Sequence, residues 1–186
     1  MADPSADYSI ITQKYFPASA SSQRNHVYIV LGALLFWCGY IFFVGGRTLG
    51  QNGIARENNS SKIIMNMFIA SGFSALWSIT LKNVILWRVC SRAAKYDVLT
   101  LANGIIIGCA AISGVANNCD NWGAVLIGSI SAAFYVGGIL FEQFWGIDDP
   151  LEVFPVHFCG GLWGLFATGF FDQVRGALFY GGHQQG

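Results

Sequence analysis

The sequence predicts an all-α fold: a polytopic membrane helix bundle with five transmembrane helices. Three observations carry this expectation. Of 186 residues, 54% are hydrophobic and only 11% are charged, less than half the share of about 25% found in soluble domains. Mean hydropathy is +0.49. The charged side chains, 10 basic and 10 acidic, all fall outside five charge-free stretches of 20, 19, 22, 21 and 19 residues. A bilayer core of about 30 Å takes about 20 apolar residues as helix. Backbone in lipid is satisfied only within helices or closed barrels, and strand-like alternation at barrel length is absent.

The elements follow in order. Residues 1–26 read as a polar N-terminal arm, since Asp3 and Asp7 come early and no apolar signal-peptide core follows. The first span is Val27–Gly46 and the second Ile63–Leu81. The third, Val98–Cys119, and the fourth, Asn121–Phe141, meet at Asn117-Asn118-Cys119-Asp120-Asn121. That turn is tight enough to make them an antiparallel hairpin. The fifth span is Val153–Phe171, followed by a polar C-terminal tail, 172–186. Asp149-Pro150-Leu151-Glu152 reads as N-cap, N1, N2 and N3 of the fifth helix, with Asp149 and Glu152 as capping residues. Six basic residues (Lys14, Arg24, Lys82, Arg88, Arg92, Lys95) lie on the side of the N-terminus, against four (Arg47, Arg56, Lys62, Arg175) on the other. The expected orientation is therefore N-terminus cytoplasmic and C-terminus outside.

Lipid tails are as apolar as leucine, so such a bundle packs through small residues. Gly104 and Gly108 supply one G-x-x-x-G, and Gly160 and Gly164 another, with Gly161 beside them. Two readings of these glycines stand open: helix–helix seams, or the wall of a narrow pore.

Function classes narrow in the same way. Zero net charge leaves no basic field for nucleic acid. Five cysteines without a C-x-x-C read as small buried hydrophobes. No hydrolase elbow, P-loop or H-E-x-x-H is present, so no enzyme, cofactor or metal site is expected. His157 is the one imidazole inside an apolar span, and Gly160, Gly161 and Gly164 follow it at i+3, i+4 and i+7. An ionisable group at membrane depth faces the bundle interior or a pathway. A neutral imidazole both donates and accepts, which suits relay of a small polar molecule or a proton. A histidine bonded to a neighbouring helix, with no transport role, is the equal alternative. Pro155, two residues earlier, is expected to free the carbonyl of Leu151 and bend the helix.

The run Asp148-Asp149-Pro150-Leu151-Glu152-Val153-Phe154-Pro155-Val156-His157, continued by Gly160-Gly161, Gly164 and Thr168-Gly169, resembles the late signature helix of ammonium transporters, the Amt/Rh family, on its Amt branch. Leu101-Ala102-Asn103-Gly104 through Gly108 to Ile112-Ser113 is similar to a second family segment. Leu31-Gly32 through Gly39 to Phe42-Phe43 and Gly45-Gly46 is similar to a third. The family folds as two inverted five-helix repeats and assembles as trimers, each protomer with its own pore. The resemblance implies that residues 27–171 are the second repeat alone.

It also implies site residues. His157 matches the second member of a twin-histidine pair in the pore. Phe43 matches one of two stacked phenylalanines gating the outer mouth, and Val153 an apolar residue of the inner half. The implied substrate is ammonium or ammonia, carried through an apolar, histidine-lined lumen in the plasma membrane. Where the family has Asn, Gly and Ser after the gating phenylalanine, this chain has Val44, Gly46 and Arg47, and a fixed positive charge there would repel ammonium. The implied function is ammonium transport as an incomplete channel or transporter subunit, completed by oligomerisation or by a second chain. The alternative is a non-conducting membrane partner, or a truncated fragment, of an ammonium transporter.

Overall fold

The computed structural model describes residues 25–48, 54–90, 97–174 and 176–178. The polar arm before Asn25 and the tail beyond Leu178 lie outside the described residues. Among the described residues every regular element is helical: α1 (His26–Gly45), α2 (Ile54–Cys90), α3 (Val98–Ile112), α4 (Asn121–Trp145) and α5 (Phe154–Phe171). Four of the five, all but α3, are long and apolar enough to cross a membrane.

α2 is the centre of the bundle. It packs along both α3 and α4, while α3 lies between α1 and α5. The face of α2 is built from small residues. A Cβ on Gly104 would stand 2.8 Å from the Ala75 Cα, one on Gly108 2.7 Å from the Ser74 Cβ, and one on Gly128 2.8 Å from the Ala70 Cα. No real Cβ fits at such distances, so the backbones of α3 and α4 approach α2 closely because these three positions carry no side chain. Ser131 of α4 adds a bond to Ser74 Oγ at 2.8 Å. Met67, Ile107, Ile127 and Tyr135 are buried around this seam. α1 is the least covered helix: Val27, Leu35, Phe42 and Phe43 are all more than 60% exposed.

Three helix limits differ from the charge-free stretches. α2 runs 37 residues, well past the apolar run, because helix propagates through polar flanks such as Lys62 and Lys82. α4 continues to Trp145 and ends on Gly146, whose φ of +67° is left-handed, a conformation that costs glycine nothing. α3 stops at Ile112 after 15 residues, about 22 Å of helix. The remainder of the expected third span, 113–118, is a series of turns. Such backbone is tolerated at membrane depth only where protein satisfies it. Asn66 of α2 does so, donating from Nδ2 to the carbonyls of Ala116 (2.9 Å) and Cys119 (2.7 Å).

Candidate functional site

The entry to α5 is a correction of the sequence reading. The helix begins at Phe154, with Val153 as its cap residue, not four residues earlier at Pro150. Asp149-Pro150-Leu151-Glu152 is instead a turn closed by a bond from Glu152 N–H to the Asp149 carbonyl at 3.1 Å. Glu152 has φ +59°, the left-handed region that a side chain disfavours. Proline suits the second place of a turn as well as it suits N1 of a helix, so this tetrapeptide is ambiguous in sequence. Asp149 Oδ2 accepts from the Phe154 N–H at 2.8 Å. The Glu152 side chain does not cap the helix; its carboxylate is drawn away from the helix end, while its carbonyl accepts from the Val156 N–H at 3.2 Å. Pro155 sits in the first turn, where its missing N–H interrupts no ladder. The Leu151 carbonyl is taken by Asn103 Nδ2 at 3.1 Å.

Glu152 is the hub of a polar cluster that joins four elements. Its Oε1 accepts from Lys82 Nζ of α2 at 3.1 Å, its Oε2 from Asn103 Nδ2 of α3 at 2.9 Å, and Tyr135 of α4 donates its hydroxyl proton to Oε2. Lys82 also reaches Thr100 Oγ1 at 2.7 Å and Asp97 Oδ2 at 3.3 Å. Lys82 and Glu152 side chains are only 14% and 15% exposed. Asp97 precedes α3 and caps it, accepting from the Leu99 N–H at 3.2 Å. Burial alone would raise the Asp97 carboxyl pKa, but the Lys82 charge and the bonds from Thr100 and Leu99 outweigh it and hold the pKa below its ordinary 3.8. The sequence reading missed Lys82, Asn103 and Tyr135. Each is a polar residue in or at the edge of a different span, and nothing in their spacing says that they meet.

α5 opens with a π-helical turn, Phe154–Cys159, before the regular helix Gly160–Phe171. Single π turns inside helices are often found at functional sites. His157 lies in this turn. One face of α5 is packed: a Cβ on Gly160 would stand 2.6 Å from Ile107 Cγ1, and one on Gly164 3.1 Å from the Ala111 carbonyl oxygen. These two glycines form the seam with α3. Another face is open. Val153 is 49% and Leu165 75% exposed, His157 is exposed, and a Cβ on Gly161 would meet nothing within 4 Å. The four-residue spacing puts Val153, His157, Gly161 and Leu165 on one stripe. Among the described residues the His157 imidazole has no hydrogen-bond partner. Phe43 is 72% exposed near the end of α1, its ring 6.1 Å from that of Tyr40. Phe43, Val153 and His157 thus all lie on uncovered surface, α1 and α5 flanking α3. An apolar cavity of about 460 Å³ lies beside this stripe, between α4 and α5, walled by Gly137, Phe141, Phe154, Phe158 and Leu162. The rings of Phe141, Phe154 and Phe158 stack at 5.8 and 5.0 Å.

The comparison with known proteins decides the family. The model of the Ammonium Transporter Family matches residues 12–186. The chain belongs to this family. It is 31% identical over 180 residues to the ammonium transporter of Bacillus subtilis, covering 93% of this chain and 42% of that protein. It is 31% identical over 156 residues to the ammonium transporter Amt2 of Archaeoglobus fulgidus, covering 84% of this chain and 31% of that one. The crystal structure of Saccharomyces cerevisiae Mep2 superposes with a TM-score of 0.67 at 28% identity, covering 80% of this chain and 31% of Mep2. The chain therefore spans well under half the length of these relatives. Family membership, with four helices of membrane-crossing length and composition, makes this ammonium-transporter-family chain an integral membrane protein.

Proposed function

We propose that this chain supplies one wall of a conduction path for ammonium or ammonia. The observation that carries the reading is the bare stripe of α5. Among the described residues, α5 presents an imidazole with no partner, flanked by Val153, Gly161 and Leu165, on a surface that no other described helix covers. An unpartnered ionisable group at membrane depth is costly, and its retention there fits contact with a small polar permeant. The apolar surroundings fit a neutral permeant at the narrow point, since a bare ammonium ion in low dielectric is very costly. His157 would exchange hydrogen bonds with the permeant, Phe43 would constrict one mouth, and Val153 would line the opposite half. Gly161 would leave width beside the imidazole.

The opposite wall would come from helices beyond these five. A trimeric assembly, placement in the plasma membrane and a cytoplasmic N-terminus belong to the same proposal. The likeness of the chain to ammonium transporters over 93% of its length supports the substrate class. The test is methylammonium uptake in transporter-deficient cells expressing the chain beside a His157→Ala form. Uptake that is lost in the variant supports a conducting role. Absent uptake, with the protein in the membrane, overturns conduction by this chain on its own.

A further inference from the structure

Arg47 departs most from what a cation path requires. It follows α1 in a single 3-10 turn, Gly46–Thr48, and is exposed. Its guanidinium nonetheless has a fixed seat, donating from one Nη to the carbonyl of Ser113 at 2.8 Å. Ser113 is the C-cap of α3, so the cation rests on the negative end of that helix. The contact ties the end of α1 to the end of α3, and Phe43 precedes it by one helical turn. Gly114, the next residue after Ser113, abuts Thr168 of α5: a Cβ there would stand 2.6 Å from Thr168 Oγ1. The guanidinium therefore stands at the end of the bundle where α1, α3 and α5 terminate together.

Among the described side chains, the other charges at that end are engaged with one another, with neighbouring amides or with the backbone. Lys62 of α2 faces Asp120 at 3.8 Å and reaches Gln173 Oε1 at 3.5 Å. Asp172, beyond α5, accepts from Asn118 Nδ2 at 3.2 Å and from the Val174 N–H at 2.8 Å. Among the described residues Arg47 makes no ion pair. Arginine does not lose its proton in proteins, so this end carries a permanent positive charge seated on a neutral carbonyl.

We propose that Arg47 is a specificity-determining residue that keeps the ammonium ion away from the entrance and admits the neutral amine, ammonia or methylamine. The inference rests on the conducting reading above and sharpens its substrate class. A like charge at a low-dielectric mouth lowers the local concentration of a cation by about tenfold or more, and leaves an uncharged amine nearly unaffected.

The experiment is initial uptake of methylamine by cells expressing the full chain, over a series of external pH values at fixed total amine, after subtraction of uptake by cells lacking the chain. Below the pKa of the amine, the wild-type rate is expected to follow the free base, rising about tenfold for each pH unit. Arg47→Gln keeps a donor for the Ser113 carbonyl and removes the charge. It should raise uptake at the acid end by about tenfold and flatten the profile. Arg47→Lys keeps the charge and should retain the wild-type slope. A wild-type profile that is already flat overturns the inference, as does an Arg47→Gln profile with the wild-type slope or an Arg47→Lys profile that flattens. Should Arg47→Gln fail to reach the membrane, ionic strength takes its place. Raising it at constant osmolarity screens the charge and should increase acid-end uptake by the wild type; an unchanged rate overturns the inference. Absence of uptake at every pH overturns conduction by this chain on its own, a result distinct from all of these.

Discussion

Lys82 Nζ of α2 stands 3.1 Å from Glu152 Oε1, 70 residues away at the entry to α5. Both side chains are largely withdrawn from solvent. The pair ties the segment that leads into the His157 turn to the central helix of the bundle. It is completed by Asn103 and Tyr135, so every element that packs near the entry contributes one group. The left-handed backbone of Glu152 persists because these contacts over-determine it.

Glu152→Ala is expected to lower stability by about 3–5 kcal/mol, the range for breaking a buried pair and leaving its partner uncompensated. Lys82 would keep Asp97 but lose its more buried partner. The double variant Lys82→Met with Glu152→Leu should be less destabilised than Glu152→Ala. Thermal unfolding of the detergent-solubilised protein measures both. A Glu152→Ala melting temperature equal to wild type would remove Glu152 from its place as the hub.

The glycines should separate by site. Gly128→Ala places a methyl 2.8 Å from the Ala70 Cα, where backbone cannot yield cheaply, and overpacking of this kind costs about 1–3 kcal/mol or more. Gly161→Ala meets open space and should be neutral or gain up to about 1 kcal/mol from reduced backbone freedom of the unfolded chain. Fluorescence-detected size exclusion after a temperature series distinguishes them. Equal losses at both sites would contradict the seam assignment.

Asn66 makes a third case. Replacement by Leu leaves the carbonyls of Ala116 and Cys119 without their donor in a buried turn. Each unsatisfied group costs about 1–3 kcal/mol. The expected signature is early hydrogen exchange in 113–119, with α2 and α4 still protected. Uniform loss of protection, or none, would speak against this local role.

Asp97 gives a pH dependence of definite sign. Its folded-state pKa is held below the ordinary value of 3.8, so the stability it contributes is fully present above that value. The contribution disappears as pH falls through the lower, folded-state pKa. The carboxylate is 41% exposed, so solvent screening keeps the effect small. Asp97→Asn should be somewhat less stable than wild type at neutral pH and show less further loss on acidification. A larger acid loss in the variant would reverse the assignment.

Much of this protein was legible in its residues. The absence of charge over five stretches of membrane-crossing length follows from the cost of charge in lipid, a constraint acting on each stretch separately. The bundle class was therefore readable in one dimension, as was the family motif around His157. Other features were decided only in the folded chain. Gly160 and Gly161 are adjacent and chemically identical, yet one closes on Ile107 and the other faces open space, because a 100° step around the helix separates their environments. Asp149-Pro150-Leu151-Glu152 satisfies the rules for a helix start and for a turn equally. The turn prevails because Lys82, Asn103 and Tyr135 together bind the Glu152 carboxylate more strongly than the free N–H groups of a first helical turn would. Those three residues lie on three different helices, and the guanidinium of Arg47 finds its carbonyl on yet another contact between helices. Local pattern governs what each segment can become in a bilayer. Which polar groups meet is set by how the segments pack, and that depends on distances no linear spacing contains.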